Sequence, residues 1–279
     1  RLKQLLTKCI LLLPLLLLWV FLRPIYRDRI GSFGCFDDCS VYIAAYFVNA
    51  GKELYTEVFF NHQPLIVYLS AFIQRISQSE NTYALLSSHR MFIVYFSMIA
   101  DGLLVLRFGL PALAFAFLFE STKGFVFGER FLPESMIVYP IVYLFGLVWL
   151  AWKKQVLRGL EVIFAGFFTW FIIFLREPYV PLAVLLYGII LWQARHSKNW
   201  LKGSLAVFGA MSLMTIAQHD IASYYFNVIT LNIQTIAGQE VKTNNLLGLG
   251  LTRSFFHPIY VLVSGQWNMF RLIEMALSS

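Results

Sequence analysis

Charge is what this sequence has least of. Only 13% of its 279 residues are Asp, Glu, Lys or Arg, against about 25% in ordinary soluble domains. With 59% hydrophobic residues, too little polar surface remains to wrap a core in water. That excludes a typical soluble enzyme and predicts a polytopic membrane protein. Cysteine is also scarce: Cys9, Cys35 and Cys39 are the full set. Cys35-x3-Cys39 could close one disulfide or contribute to a metal site, but no second pair completes a four-ligand framework. No internal repeat is visible, and Leu11–Leu18 is the one low-complexity stretch.

The formal net charge is +7. A basic balance can signal nucleic acid. Here the cations fall in short blocks between apolar runs, as cytoplasmic flanks of membrane helices do, so no nucleic-acid partner is expected. Residues 1–22 are basic and then apolar, like a signal peptide. No small-residue cleavage site follows, and a retained first helix is expected. The missing initial Met suggests a clipped N-terminus.

Arg1, Lys3 and Lys8 place the N-terminus in the cytoplasm. Arg107, the block Lys153-Lys154-Arg158 and the block Arg195-His196-Lys198-Lys202 are the next cytoplasmic candidates. Seven spans connect them with consistent parity: Cys9–Leu22, Arg90–Leu106, Leu110–Phe119, Ser135–Trp152, Gly159–Leu175, Tyr179–Gln193 and Ser204–Ala217. Leu65–Ile73 is too short to cross and is expected to lie on the outer surface. Gln218–Ser279 is less apolar and has room for one more span near Phe255–Phe270. The expected fold is thus an all-α transmembrane bundle of seven or eight spans, a single domain over 1–279. Its first extracytoplasmic loop, 23–89, contains juxtamembrane helices.

This threading puts Asp37, Asp38, Glu57, Glu129, Glu134 and Glu177 at one water–membrane face, beside His62, Arg130 and Arg176. Carboxylates there can act as a general base on a hydroxyl, and a pair can hold a divalent cation. Arginine binds phosphate through its planar fork. Plainer roles compete. Asp37-Asp38 before "VYIAAYFV" suits a helix N-cap. His62 before Gln-Pro suits a polar loop. Arg176-Glu177 suits an interfacial charge pair. Glu134 after Pro133 suits a helix first turn. Asp101, inside a span, is expected to pair with Arg107.

Taken together, the spaced order resembles membrane glycosyltransferases of the GT-C fold, in particular the protein mannosyltransferase and aminoarabinose-transferase-like group. The matching pieces are Asp37-Asp38, Tyr42, "GKELYTE" from Gly51 to Glu57, His62-Gln63-Pro64-Leu65, Arg90, Glu134 and Arg176-Glu177-Pro178. They cover about residues 9–200. Asp38 stands where the family has Glu. Family members commonly run longer, so the chain reads as a fragment or a reduced member.

The resemblance implies transfer of a sugar from a polyprenyl-phosphate donor to a glycan, lipid or protein acceptor. The reaction would take place at the outer face of the plasma membrane, in building the cell envelope. It implies Asp37 as general base, assisted by Asp38 and Glu134. Tyr42, Tyr55, Glu57, His62, Arg90, Arg130 and Arg176 would contact substrate. Asp37 and Glu134 are the pair that could hold a divalent metal. Aromatics flank the same loops: Phe36, Tyr42, Tyr46, Tyr55, Phe59, Phe60, Phe125, Phe127 and Phe131. Some could line a sugar or prenyl groove, and most suit the interfacial belt or core.

Two other classes fit parts of the sequence. A transporter or carrier subunit would place ionisable groups near the bilayer midplane. A polysaccharide polymerase or ligase would rely on late histidines such as His219 and His257.

Overall fold

The computed structural model describes residues 2–32, 34, 37–124 and 128–232, with side chains from residue 10 onward. Phe36, Phe125, Phe127, His257, Cys35, the Cys9 side chain and the Phe255–Phe270 span lie outside the described residues. Within them the chain is all-α, and the only β pairing is a single bridge between Leu54 and Val58. The helices are α1 (Leu2–Ile30), α2 (Asp38–Asn49), α3 (Leu65–Ser77), α4 (Thr82–Phe108) and α5 (Leu110–Lys123). Then come α6 (Glu134–Trp152), α7 (Gly159–Leu175), α8 (Val180–Gln193), α9 (Lys198–Ile216) and α10 (Ile221–Tyr225).

Helices form at all seven of the apolar runs expected to span. Three are long and apolar enough to cross a membrane: Ile10–Ile30 within α1, α4 and α6. A fourth crossing would need α9 joined to Ile221–Thr230, a pair bent by 99°. This marks a membrane protein. α5 and α8 fall short by length: they have 14 residues each, about 21 Å of helix against a ~30 Å hydrocarbon core.

Two boundaries differ from the sequence reading. α1 runs past Leu22 to Ile30, through Pro24, so the first loop begins later than residue 23. α4 begins at Thr82 rather than Arg90, capped by Asn81, whose side chain accepts from the Ala84 N–H. α3 forms where a surface helix was expected. Its 13 residues are too few to span. It packs on α2, α4 and α7.

Two apolar cores hold the bundle. One joins α2, α3, α6, α7 and α8 around Ile66, Val67, Phe131, Leu144, Ile172 and Leu175. The other joins α1, α4 and α5 around Trp19, Leu104, Val105, Leu113 and Ala116. α7 and α9 approach very closely: a Cβ on Gly166 would lie 2.5 Å from the Ser204 carbonyl oxygen. The Ser204 hydroxyl donates to the Val162 carbonyl. Small residues that let backbones touch are a common device between helices in lipid.

The expected Asp101–Arg107 pair does not form. Arg107 bonds Glu161 instead, tying α4 to the start of α7. The reason is helical phase. At about 100° per residue, a six-residue separation turns Asp101 and Arg107 about 120° apart around α4, onto different faces. Asp101 faces inward and is fully buried. Lys123 also departs from expectation. The span expected to end at Phe119 continues to Lys123, which ends α5 and is 1% exposed.

Candidate functional site

α6 and α7 form an antiparallel hairpin, and polar residues gather at both of its ends. At one end Lys153, Lys154 and Arg158 are exposed in the α6–α7 turn. At the other, Glu134 opens α6 directly after Pro133, where the helix dipole favours an anion. Arg176 closes α7 in an extended conformation before Glu177-Pro178-Tyr179 turns the chain into α8. The hairpin length, about 28 Å for 19 residues, separates the two ends.

The Glu134 end is a cluster of four side chains from three segments. Arg176 Nε donates to Glu134 Oε1 at 2.9 Å. Arg176 Nη1 lies 2.7 Å from His62 Nδ1. That same nitrogen of His62 lies 2.9 Å from Glu177 Oε1. His62 Nδ1 cannot serve both neighbours at once. Unprotonated, it accepts from Arg176; protonated, it donates to Glu177. Burial alone would raise the Glu177 carboxyl, but the His62 hydrogen bond and the charges of His62 and Arg176 outweigh it and hold the carboxyl below its usual range. Glu177 Oε2 is buried without a partner among the described residues. Arg176 Nη2 likewise makes no protein hydrogen bond among them.

Tyr55 supports this cluster from below. It has positive φ, 73°, and its hydroxyl donates to the His62 carbonyl at 2.7 Å. Its ring meets His219 edge-on at 4.9 Å, and His219 stacks between Tyr68 and Tyr224. Tyr224 donates to Gln63, and Asn232 donates to the Asn61 carbonyl. The His62 loop is therefore anchored to the segment after α9, and burial pushes the His219 imidazole below its usual range.

A second group sits beside the first. Asp37 occupies the N-cap position of α2, yet its side chain makes no capping hydrogen bond, and it is exposed. Asp38 is fully buried and accepts from the Tyr42 hydroxyl at 3.1 Å. Burial and the Asp38 carboxylate push the Tyr42 phenol up, partly offset by the charges of Arg90 and Arg130. Arg90 is 1% exposed and closes the C-terminal end of α1, donating to the carbonyls of Arg29, Ile30, Ser32 and Gly34. Nη1 and Nη2 are committed inside the protein, while Nε is buried with no hydrogen-bond partner among the described residues.

Phe131 connects the two groups. Its ring packs against Tyr42 at 6.1 Å and His89 at 4.9 Å, and three residues later Glu134 bonds Arg176. Asp37-Asp38 and the four-residue cluster thus share one end of the bundle. A groove of about 870 Å³ opens between α2, α3 and the start of α4; it reaches the second group at Cys39 and Tyr42 and includes none of the four clustered residues. Tyr42, Ile43, Tyr46, Phe47, Gln74 and Arg75 line part of it, and the size suits a small-molecule site.

Of the residues singled out in the sequence, His62, Glu134, Arg176 and Glu177 come together. Asp38, Tyr42, Arg90 and Arg130 form the neighbouring group. Glu57 stands apart: both its oxygens are used locally, by Lys52 Nζ at 2.6 Å and the Glu53 N–H at 2.9 Å. Glu129 is buried and faces Arg29 at 3.6 Å. Among the described residues no three of His, Cys, Asp and Glu stand together as metal ligands. Glu134 Oε1 is bonded to Arg176, and Asp37 is exposed at the start of α2. Cys39 is disulfide-bonded.

The residues that sequence reading missed are Glu120, Lys123, His89 and Glu161. Each lies in or at the edge of an apolar run, and a charge in an apolar helix is the signal that could have marked them. No family model, no curated protein and no solved structure matches this chain.

Proposed function

We propose that this chain is a membrane glycosyltransferase that moves a sugar from a polyprenyl-phosphate donor to an acceptor hydroxyl at the extracytoplasmic face. The observation that carries this reading is the gathering of Asp37-Asp38, His62, Glu134 and Arg176 at one end of the bundle. The exposed Lys153-Lys154-Arg158 turn sits at the opposite end of the α6–α7 hairpin. By the positive-inside rule that turn is cytoplasmic, so the acidic end faces out. On this reading the seven apolar helices cross the membrane from a cytoplasmic N-terminus, the shorter ones buried against neighbours, with α2 and α3 lying at the outer surface.

In the proposed reaction Asp37 takes the proton of the acceptor hydroxyl. The oxygen attacks the anomeric carbon, and the bond from that carbon to the phosphate oxygen breaks with inversion. Polyprenyl phosphate leaves with the electron pair. Arg176 receives its charge through Nη2, with Glu134 and His62 fixing the fork. Asp38 and Tyr42 set the start of α2, Arg130 lies beside them, and the groove beside α2 accommodates the acceptor or the prenyl chain. No step passes through a metal.

The test is transfer from a radiolabelled polyprenyl-phosphate sugar by the full chain in proteoliposomes. Asp37→Asn is expected to abolish it while membrane insertion persists. Wild-type-level transfer by that variant overturns the assignment. Loss with His257→Ala but not with Asp37→Asn would move the reading to a polymerase or ligase.

A further inference from the structure

The bundle contains a second polar group that the proposed reaction does not use. Asp101 of α4, Glu120 and Lys123 of α5, Tyr26 of α1 and Tyr139 of α6 are all buried among apolar helices. The Glu120 carboxylate is well served. The Tyr26 hydroxyl donates to its Oε2 at 3.0 Å, the Tyr139 hydroxyl donates to its Oε1, and Lys123 Nζ lies 3.7 Å away. Lys123 also donates to the Tyr139 oxygen at 2.8 Å and to the Ser97 hydroxyl. One cation therefore answers one carboxylate. Asp101 is 0% exposed, and neither of its oxygens has a hydrogen-bond partner among the described residues. The Trp19 indole N–H faces it outside hydrogen-bond geometry and has no other acceptor among them.

An ionised carboxylate in that position would be a second negative charge in an apolar interior, with no cation left to balance it and no hydrogen bond made to it among the described residues. Such a charge costs several kcal/mol, and the group neutralises instead. The charged or titratable groups that face it among the described residues are Tyr26 from α1, Glu120 and Lys123 from α5 and Tyr139 from α6, with Glu129 acting on Tyr26 and Lys123. The two acids and one base nearest to it leave room for one more positive charge, and no described residue supplies it.

We propose that the space between α1, α4 and α5 is a proton-binding site, with Asp101 the carboxyl that carries the proton and the Glu120–Lys123 pair its fixed counter-charges. The site lies inside the bundle and is independent of the sugar-transfer reading. Its chemistry is that of a carboxylic acid held in an apolar wall, beside a chain of hydroxyls (Tyr26, Tyr139 and Ser97) that contacts the pair.

Infrared spectroscopy of the full chain in lipid nanodiscs tests it. A protonated carboxyl has a carbonyl stretch that a carboxylate lacks, and the band moves down in deuterium oxide. At neutral pH that band is expected in the wild type, absent in Asp101→Asn, and retained in Glu134→Gln and Glu177→Gln. Absence of the band at neutral pH, or its survival in Asp101→Asn, overturns the proposal. Loss of the band on adding sodium at fixed pH also overturns it, by making the ligand a metal cation.

Thermal unfolding gives a second reading, since Asn has the shape of the neutral acid and should fold. Folding would take up one proton in the wild type and none in the variant. The wild type should therefore lose ground to Asp101→Asn by about tenfold in the folding equilibrium per pH unit, from the ordinary Asp range up to the pH at which the folded carboxyl itself ionises, and no further beyond it. A gap that stays constant with pH would sink the assignment.

Discussion

The cluster around Glu134 and the buried group around Lys123 use the same residue types in opposite ways. In the first, His62, Glu134, Arg176 and Glu177 are 23–38% exposed in their side chains. Water can share their solvation, and each partner can be exchanged for a ligand. Around Lys123 the charged side chains are 0–1% exposed, and the protein must supply every partner. Exposed ion pairs contribute little to stability. Breaking a buried one leaves an unpaired charge and costs much more. Polar groups at the first site are thus free to act on something else, and those at the second are tied to the fold.

The largest expected effect comes from breaking the buried pair. Lys123→Met strands the Glu120 carboxylate and should cost about 3–5 kcal/mol, read as a lowered melting temperature and reduced membrane yield. Adding Glu120→Gln to that variant should recover much of the loss, because the stranded charge is gone. Next, Arg176→Ala should cut sugar transfer by roughly 10²–10³-fold, the usual loss when one charge-stabilising donor is removed, while melting moves little. A large melting shift with transfer intact would reverse the contrast between the two regions.

Closing off the α7–α9 approach should have an intermediate effect. Gly166→Val forces a side chain against Ser204, and overpacking of this kind costs about 1–3 kcal/mol, visible in thermal unfolding. A smaller change comes from pH. Glu177 is held below its ordinary range, so its contribution is present above the usual Glu value of about 4.3 and fades as pH falls through its lower folded value. Melting should therefore decline more steeply on acidification in the wild type than in Glu177→Gln. The smallest effect belongs to Glu57→Gln. Its partner Lys52 is exposed, and the melting temperature should not change measurably.

Much of the fold was legible from apolar run length. All seven expected runs are helical, and α3 sits where a short apolar stretch ruled out a crossing. Boundaries were less so. Pro24 does not stop α1, because packing against α4 and α5 carries the helix onward. The count of crossings was the weakest part, since 14-residue helices cannot be classed by hydropathy alone. At the Glu134 cluster, order along the chain pointed to His62, Glu134 and Arg176, because each borders a helix start or stop next to a proline. Asp37 looked like a helix cap but makes no capping bond. Arg90 looked available but holds the end of α1.

What the sequence determined by itself was the solvent and the secondary structure. A chain with so few charges and such long apolar runs belongs in a bilayer, and its backbone must then satisfy its own hydrogen bonds as helix. What only the tertiary structure decided was which charges meet. Asp101 and Arg107 are close in sequence and face apart, while His62 and Arg176 are 114 positions apart and touch. Helical phase and packing set those pairings, and neither can be read from the spacing of charges along the chain.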